Sequence, residues 1–318
     1  MKDTYVLMPH QGSCHPYMES FANALVKAGA HSKTDIRIQR TVRAAIGHMG
    51  FSFRLFNSTK HLVCLGSGRI ESVVWPWCYF YEVIPVMWDV WPAYVDPLKR
   101  FIHRNKVKVM FCTSRQQAEL LAREVPGLSA LWMPEGVEVS LYPLGCKLSD
   151  RKIDVLEYGR KKQVVHDEII KSFRGGKFNI VTERIPLVFE TFTQYIRNSK
   201  ISICFPQCDT NPLRAGNIET LTQRYWECML SGTLVVGRAP QELIDLCGYN
   251  PVIEIEDGVS RTIRSVLSRI EEWQWLADKN RLVAEKIAGW DNRMNIVVQG
   301  IANTYGVKCG ADYEVKGV

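Results

Sequence analysis

The stretch Glu219-Thr-Leu-Thr-Gln-Arg-Tyr-Trp-Glu227-Cys-Met-Leu-Ser-Gly232-Thr-Leu-Val-Val236 decides how this chain folds. Its pattern predicts a helix over about residues 222–231, a glycine C-cap at Gly232 and a buried strand directly afterwards. Glu219 precedes this helix, and Glu227 lies within it. Free backbone N–H groups and the dipole at a helix N-terminus favour a phosphate. Two carboxylates beside such a terminus suit a ligand that carries both phosphates and hydroxyls, as a nucleotide sugar does.

The same stretch resembles the E-x7-E element of retaining GT-B glycosyltransferases, which typically continues E-A-M-A-x-G-x-P-V-V from its second glutamate. In that family the first glutamate contacts the donor hexose and the second contacts the nucleotide ribose. The resemblance therefore implies a hexose contact for Glu219 and a ribose contact for Glu227. The chain departs from the family pattern at Leu234, where proline is usual, and at residues 222–224, where Thr-Gln-Arg replaces glycine-rich residues. This Thr-Gln-Arg-x-Trp-Glu variant is closer to a divergent branch of the superfamily.

Two further segments resemble the family. Residues 132–143 are similar to the P-x-G-V-x-x-x-x-F/Y-x-P element that ends the N-terminal domain, and residues 151–162 are similar to the first strand and G-R turn of the C-terminal domain. The resemblance implies an α/β GT-B fold, with two Rossmann-like, doubly wound domains facing a central cleft. It assigns residues 1–145 to an acceptor-binding domain and 146–290 to a nucleotide-sugar-binding domain. Residues 291–318 would form a terminal helix that packs back on the first domain.

The order of elements independently favours two parallel-sheet domains. A chain of 318 residues exceeds the usual size of one core. A strand at residues 5–9 and an amphipathic helix at about 16–28, ending at Gly29, form the β-turn-α start of a doubly wound sheet. Strands are further predicted near residues 61–65, 106–112, 153–158, 177–182, 200–206 and 251–255, and helices over about 114–124, 185–198, 261–289 and 290–305.

The composition describes a soluble globular protein, with 46% hydrophobic and 23% charged residues. The apolar run at residues 5–9 is too short for a signal peptide, and no uncharged apolar stretch reaches membrane-spanning length. A cytoplasmic location is expected. The ten cysteines are scattered, and Cys204 and Cys208 lack the second pair that a zinc site needs, so reduced thiols are expected.

A net charge of +7 favours an anionic partner. The basic run at residues 99–108 fits a solvated helix face, and it also fits peripheral contact with an anionic membrane surface or a lipid-diphosphate acceptor. No nucleic-acid-binding signature accompanies this run, which disfavours nucleic acid as a partner. The glycine turn at residues 66–68 lacks the third glycine of a dinucleotide fingerprint, which disfavours NAD.

The basic turn Gly159-Arg160-Lys161-Lys162 follows a predicted strand and would stand at the carboxyl edge of the sheet. There Arg160, with Lys161 and Lys162, would offset the charge that builds on a departing diphosphate, which is work that a metal ion does in other glycosyltransferases. No Asp-x-Asp metal motif appears in a suitable loop. We therefore expect neither a metal ion nor another cofactor, and the nucleotide sugar would be a substrate.

Three residues near the glutamates are also candidate donor contacts. Arg224 lies three positions before Glu227, where it would either contact the donor phosphates or hold Glu227 by a salt bridge. Thr222 stands at the predicted start of the helix. Asn217 ends a polar loop that begins at Asp209 and could close over a sugar.

Candidate acceptor groups lie in the first half of the chain. His10, Gln11 and Gly12 follow the first strand and would face the cleft of the GT-B architecture. Asp89 lies between Trp88 and Trp91, which could offer aromatic platforms to a sugar ring. His48 is a further candidate.

The sequence thus predicts a retaining, metal-independent hexosyltransferase that uses a nucleoside-diphosphate sugar, with UDP and GDP both open. The acceptor would be a hydroxyl of a saccharide or of a lipid-linked saccharide, in the synthesis of surface polysaccharide or glycoconjugate. Three alternatives remain open: a catalytically inactive GT-B-like binding protein, a glycosyltransferase acting on nucleic acid, and an NAD-dependent enzyme.

Overall fold

The computed structural model describes residues 1, 3–9, 17–35, 59–182 and 188–306. Internal contacts divide the chain into two compact units. The first unit contains the chain up to Pro134 together with the chain from Trp290, and the second unit is Glu135–Gly289. The division precedes the predicted boundary at residue 145, because residues such as Tyr142 pack into the core of the second unit.

The first unit contains a six-stranded parallel sheet in the order β2-β1-β3-β4-β5-β6. Its strands are β1 Thr4–Leu7, β2 His31–Lys33, β3 His61–Ser67, β4 Glu82–Trp88, β5 Val109–Cys112 and β6 Ser129–Trp132. Its first four described helices are α1 Tyr17–Lys27, α2 Glu71–Val74, α3 Pro92–Asn105 and α4 Arg115–Glu124.

The second unit contains a five-stranded parallel sheet in the order β11-β10-β9-β7-β8. Its strands are β7 Ile153–Leu156, β8 Ile180–Val181, β9 Ser199–Cys204, β10 Leu234–Gly237 and β11 Val252–Glu254. Its described helices are α5 Gln163–Phe173, α6 Phe189–Arg197, α7 Gln207–Thr210, α8 Pro212–Ala215, α9 Gln223–Leu230, α10 Gln241–Cys247, α11 Val259–Ser268 and α12 Gln274–Ile287. The predicted α/β fold with two parallel sheets is confirmed.

Both faces of each sheet are covered by helices, so each unit has an apolar cluster on either side of its sheet. The last described helix, α13 Asp291–Tyr305, belongs to the first unit and packs on β5, β6 and α1. Its apolar face, which includes Val297 and Ile301, joins Trp290, Phe21 and Leu25 in one cluster. Among the described residues, no helix combines the length and the apolar character needed to cross a membrane.

The deciding stretch folds as predicted. The helix expected over residues 222–231 is α9, and Gly232 follows it with φ +67°, a left-handed conformation that glycine adopts without steric cost. The chain then enters β10, which pairs with β9 and β11. The helix predicted over 261–289 is instead two helices, α11 and α12, with the short 3₁₀ turn Ile270–Trp273 between them.

A buried arginine holds the amino ends of three strands in the second unit. Arg151, two residues before β7, donates from Nη1 to the Ser199 carbonyl at 2.8 Å and to Thr233 Oγ1 at 2.9 Å. Its Nη2 donates to the Ser231 carbonyl at 3.0 Å. Burial lowers the pKa of Arg151 to about 10. The guanidinium thus connects β7 to the starts of β9 and β10.

Candidate functional site at the carboxyl edge of the second sheet

The carboxyl edge of the second sheet contains its topological switch point. From β7 the chain crosses to β8 on one side of it, and β9 then returns to the other side of β7. The loops after β7 and β9 therefore diverge, and open α/β sheets bind ligands in the crevice formed at such a point. Since α5 and α9 each connect parallel strands, their N-termini lie at this same edge.

The predicted basic turn lies at this edge. Gly159 adopts φ +70°, and Arg160 is exposed beside it. Lys161 Nζ donates to the Thr182 carbonyl at 2.5 Å, so this amine holds the segment after β8. Lys162 is the N-cap of α5, and its Nζ lies 4.8 Å from the centre of the Phe205 ring. Arg160 is thus the member of the turn whose side chain is most open to a ligand.

Arg224 connects the loops that meet at the switch point. Its Nη1 donates to the carbonyls of Tyr158 at 3.2 Å and Arg160 at 3.1 Å, both after β7. Its Nη2 donates to the Phe205 carbonyl at 3.0 Å, after β9. The guanidinium is buried. The sequence predicts that Arg224 contacts donor phosphates or Glu227. In the structure its guanidinium bonds to these three backbone carbonyls, and the phosphate contact stays a prediction.

Glu227 faces the interior of the second unit, where it is 3% exposed. Its Oε1 accepts a hydrogen bond from Tyr142 Oη at 3.1 Å, and its Oε2 accepts one from Tyr158 Oη at 2.8 Å. Burial, followed by the nearby negative charge of Glu227, raises the pKa of Tyr142, which keeps this phenol a donor. In this arrangement the carboxylate holds Tyr142 and Tyr158. The ribose contact of Glu227 stays a prediction.

Glu219 belongs to an ionic cluster that the sequence did not reveal. Arg238, directly after β10, donates to Glu219 Oε1 from Nη1 and to Asp209 Oδ2 from Nε at 2.7 Å. A further bond joins its Nη2 to Asp209 Oδ1 at 2.8 Å. The bonds to Asp209 raise the pKa of Arg238. Burial alone would raise the pKa of Asp209, but the bonds and charge of Arg238 bring it below its ordinary value. Asp209 and Arg238 therefore form an ionised pair at neutral pH.

The start of α9 faces the same edge. Thr222 is the N-cap and makes no side-chain capping bond, and its Oγ1 is buried without a partner in the described part of the chain. Within the first turn, the Tyr225 N–H donates to the Thr222 carbonyl at 3.3 Å, while the first N–H groups of a helix have no acceptor within it. Asn217 is exposed in the preceding loop.

The candidate acceptor groups are differently placed. Asp89 follows β4 at the carboxyl edge of the first sheet, has φ +53° and accepts a hydrogen bond from Ser67 Oγ at 3.0 Å. Trp88 and Trp91 are both buried. The expectation that they offer aromatic platforms to a sugar is wrong, because their rings pack in the interior. His10, Gln11, Gly12 and His48 lie outside the described residues.

The basic run at residues 99–108 covers the end of α3 and the chain leading to β5. Lys99 forms an ion pair with Glu124, and Lys108 Nζ lies 3.4 Å from Glu82 Oε1. Part of the positive charge of this basic run is thus paired with carboxylates at the surface of the first unit.

Two groups at the carboxyl edge of the second sheet were missed. Arg238 and Glu157 each follow a strand directly, and that position is the signal that could have identified both.

Comparisons with known proteins give the fold. No protein-family model matches the sequence, and no curated protein matches it. Sucrose-phosphate synthase from Thermosynechococcus elongatus is similar in structure, with TM-score 0.64 and 11% identity over 96% of this chain and 100% of that one. HepE from Anabaena in complex with UDP-glucose gives TM-score 0.60 and 8% identity, over 94% and 99% of the two chains. A candidate UDP-N-acetylglucosamine 2-epimerase from Listeria monocytogenes gives TM-score 0.53 and 11% identity, over 99% and 100%.

Sequence identities this low support similarity of the architecture alone. The assignment of residues 219–227 to the E-x7-E element stays a prediction. The chain is structurally similar to GT-B glycosyltransferases, with one parallel α/β sheet in each of two units.

Proposed function

We propose that the protein is a retaining GT-B glycosyltransferase that moves a hexose from a nucleoside-diphosphate sugar to a hydroxyl of a saccharide or lipid-linked saccharide. The proposal rests on one observation, the chemistry gathered at the switch point of the second sheet. Exposed Arg160 and the N-termini of α5 and α9 suit a diphosphate. The carboxylates of Asp209 and Glu219, fixed by Arg238, suit the hydroxyls of a sugar.

The proposed reaction needs little from a protein base. The bond between the sugar C1 and the phosphate oxygen breaks, and its electron pair stays on the leaving diphosphate. The acceptor hydroxyl attacks C1 from the same face, and its proton passes to the leaving phosphate oxygen. Arg160 would stabilise the charge that develops there, a task for which preorganised donors are effective. Lys161 and Lys162 would add positive potential while holding the turn.

The roles of the glutamates follow from their partners. Glu219 is half-buried beside Arg238 and would contact the hexose, with Asp209 as a neighbour. Glu227 would act indirectly, because its two tyrosines bring the chain before β7 and the turn after β7 against α9. The alternative of an inactive GT-B-like binding protein differs in its outcome, because such a protein would bind the nucleotide sugar without turnover.

A thermal-shift panel tests the nucleotide class. We expect UDP or GDP to raise the melting temperature and CMP and NAD to leave it unchanged. At a hundredfold excess over Kd, binding to the folded state contributes about 2.7 kcal/mol, or a shift of about 4 °C for a chain of 318 residues. Stabilisation by NAD alone, or by no nucleotide in the panel, would contradict the proposal.

Glu219→Gln separates the sugar contact from the diphosphate contact. Its neutral amide should weaken binding of the intact sugar nucleotide by about tenfold or more, the scale of one hydrogen bond to a charged group, and spare the bare nucleoside diphosphate. Calorimetry with both ligands measures the two effects. Exposed Glu271 provides the control, since Glu271→Gln should change neither affinity. Equal losses for both ligands in Glu219→Gln would refute the hexose assignment.

A further inference from the structure

A buried carboxylate lies beside the basic turn. Glu157 comes directly after β7 and is 1% exposed. Its Oε2 lies 2.5 Å from His166 Nδ1 and 3.8 Å from Lys161 Nζ. Its Oε1 is buried without a hydrogen-bond partner among the described residues. Burying a carboxylate with an unpaired oxygen costs stability, so an apolar residue would serve the fold better at this position. The cost points to a functional constraint.

The contact fixes the protonation of one imidazole nitrogen. An ionised carboxylate can only accept hydrogen bonds, so Nδ1 of His166 carries the hydrogen that Glu157 accepts. Nε2 is left for another partner, and it forms no hydrogen bond to any residue that the structure describes. The imidazole is 20% exposed and thus reachable from solvent.

His166 also stands in the right place. It lies in the first turn of the 11-residue helix α5, and its backbone N–H bonds to the carbonyl of Lys162, the N-cap. Glu157 and Arg160 belong to the turn between β7 and this helix. The ring therefore lies at the switch point, on the same side as the basic turn.

We propose that His166, oriented by Glu157, is a further donor-binding group, which as an imidazolium donates a hydrogen bond from Nε2 to the leaving phosphate. This rests on the proposed function. His166 keeps both ring protons throughout: the sugar–phosphate bond breaks toward the phosphate oxygen, and the acceptor's proton ends on that oxygen. Glu157 is a positioning residue, because it acts through the imidazole.

Several charged groups surround the His166 ring. Glu157 and Lys161 face the ring from the strand end and the turn. Two further carboxylates lie on α5. Asp167 Oδ1 accepts a hydrogen bond from Gln163 Nε2 at 2.7 Å, and Glu168 Oε1 accepts one from Ser260 Oγ of α11 at 2.7 Å. Only the imidazolium can donate from Nε2 while Nδ1 donates to Glu157. A diphosphate bond from Nε2 therefore requires a cation at position 166.

Calorimetry with UDP and GDP tests this. His166→Gln should lose about 10- to 100-fold in affinity, the scale of one charge-assisted hydrogen bond. His166→Lys, which places a cation at the same position, should recover part of this loss. Glu157→Gln should weaken binding less than His166→Gln does, and His103→Gln, at an exposed position on α3, should match wild type.

The outcomes separate this inference from the proposed function. If wild-type protein binds a nucleoside diphosphate and His166→Gln binds it equally, the inference is wrong and the function stands. A melting temperature lowered in both His166→Gln and His166→Lys, with the same affinity loss in both variants, would show a structural role and also overturn the inference. If wild-type protein binds neither nucleotide, the proposed function falls and the inference falls with it.

Discussion

Replacing Arg224 with methionine is expected to lower the free energy of unfolding of the second unit by about 3–5 kcal/mol and to abolish binding of nucleoside diphosphates. The variant leaves the carbonyls of Tyr158, Arg160 and Phe205 without their buried donor. Each buried polar group left without a hydrogen bond lowers the free energy of unfolding by about 1–3 kcal/mol, and by less where water can reach the group. These carbonyls belong to the two loops at the switch point. Removing the hydrogen bonds that they accept should therefore also disorder the diphosphate site. Urea unfolding and calorimetry measure the two effects.

Arg151→Met is the matched control for this experiment. Arg151 is also buried and also donates to backbone carbonyls, but it does so at the amino ends of the strands. Its loss should cost comparable stability and leave the nucleotide affinity of the folded protein unchanged. If folded Arg224→Met binds nucleotides as tightly as folded Arg151→Met, the two loops do not depend on the guanidinium for their binding geometry.

Arg160→Ala is expected to lower kcat by about 10²–10³, the usual effect of removing one preorganised donor from developing charge. Arg160→Lys should recover only part of this loss, because a lysine cannot offer the guanidinium's two parallel donors. Arg269→Ala, an exposed position at the end of α11, should have no effect. Steady-state kinetics in excess EDTA make the measurement, since the proposed mechanism needs no divalent cation. Loss of activity in EDTA, with recovery in Mn²⁺ or Mg²⁺, would contradict the mechanism.

Local patterns were enough to predict α9 and its glycine cap, because the cap and the following β-branched strand are signals within a few residues of each other. They were not enough for β4, which contains Pro85 and yet lies between β3 and β5. Proline lacks the N–H that a central strand uses, so its presence argues against a strand, and burial on both faces outweighs that loss. The short polar strand β2 was missed because its residues carry no apolar alternation.

The site was predictable by position but not by contact. Arg160 follows a strand, and that alone places it at the carboxyl edge. The spacing of Arg224 and Glu227 placed both on one face of the same helix. Their partners are distant in sequence, since Arg224 bonds to the Tyr158 carbonyl and Glu227 to Tyr142. Only tertiary packing decides whether such side chains meet a ligand or the protein's own backbone.

Transfer from labelled nucleotide sugars tests the central claim most directly. The protein is incubated in EDTA with radiolabelled UDP- and GDP-hexoses, each with and without saccharide acceptors. We expect one donor to release its nucleoside diphosphate, with the labelled hexose passing to an acceptor or to water, and we expect Arg160→Ala to lose most of this turnover. A protein that binds a nucleotide sugar at saturating concentration but neither transfers nor hydrolyses any of them would be a GT-B-like binding protein, and the claim of a glycosyltransferase would be wrong.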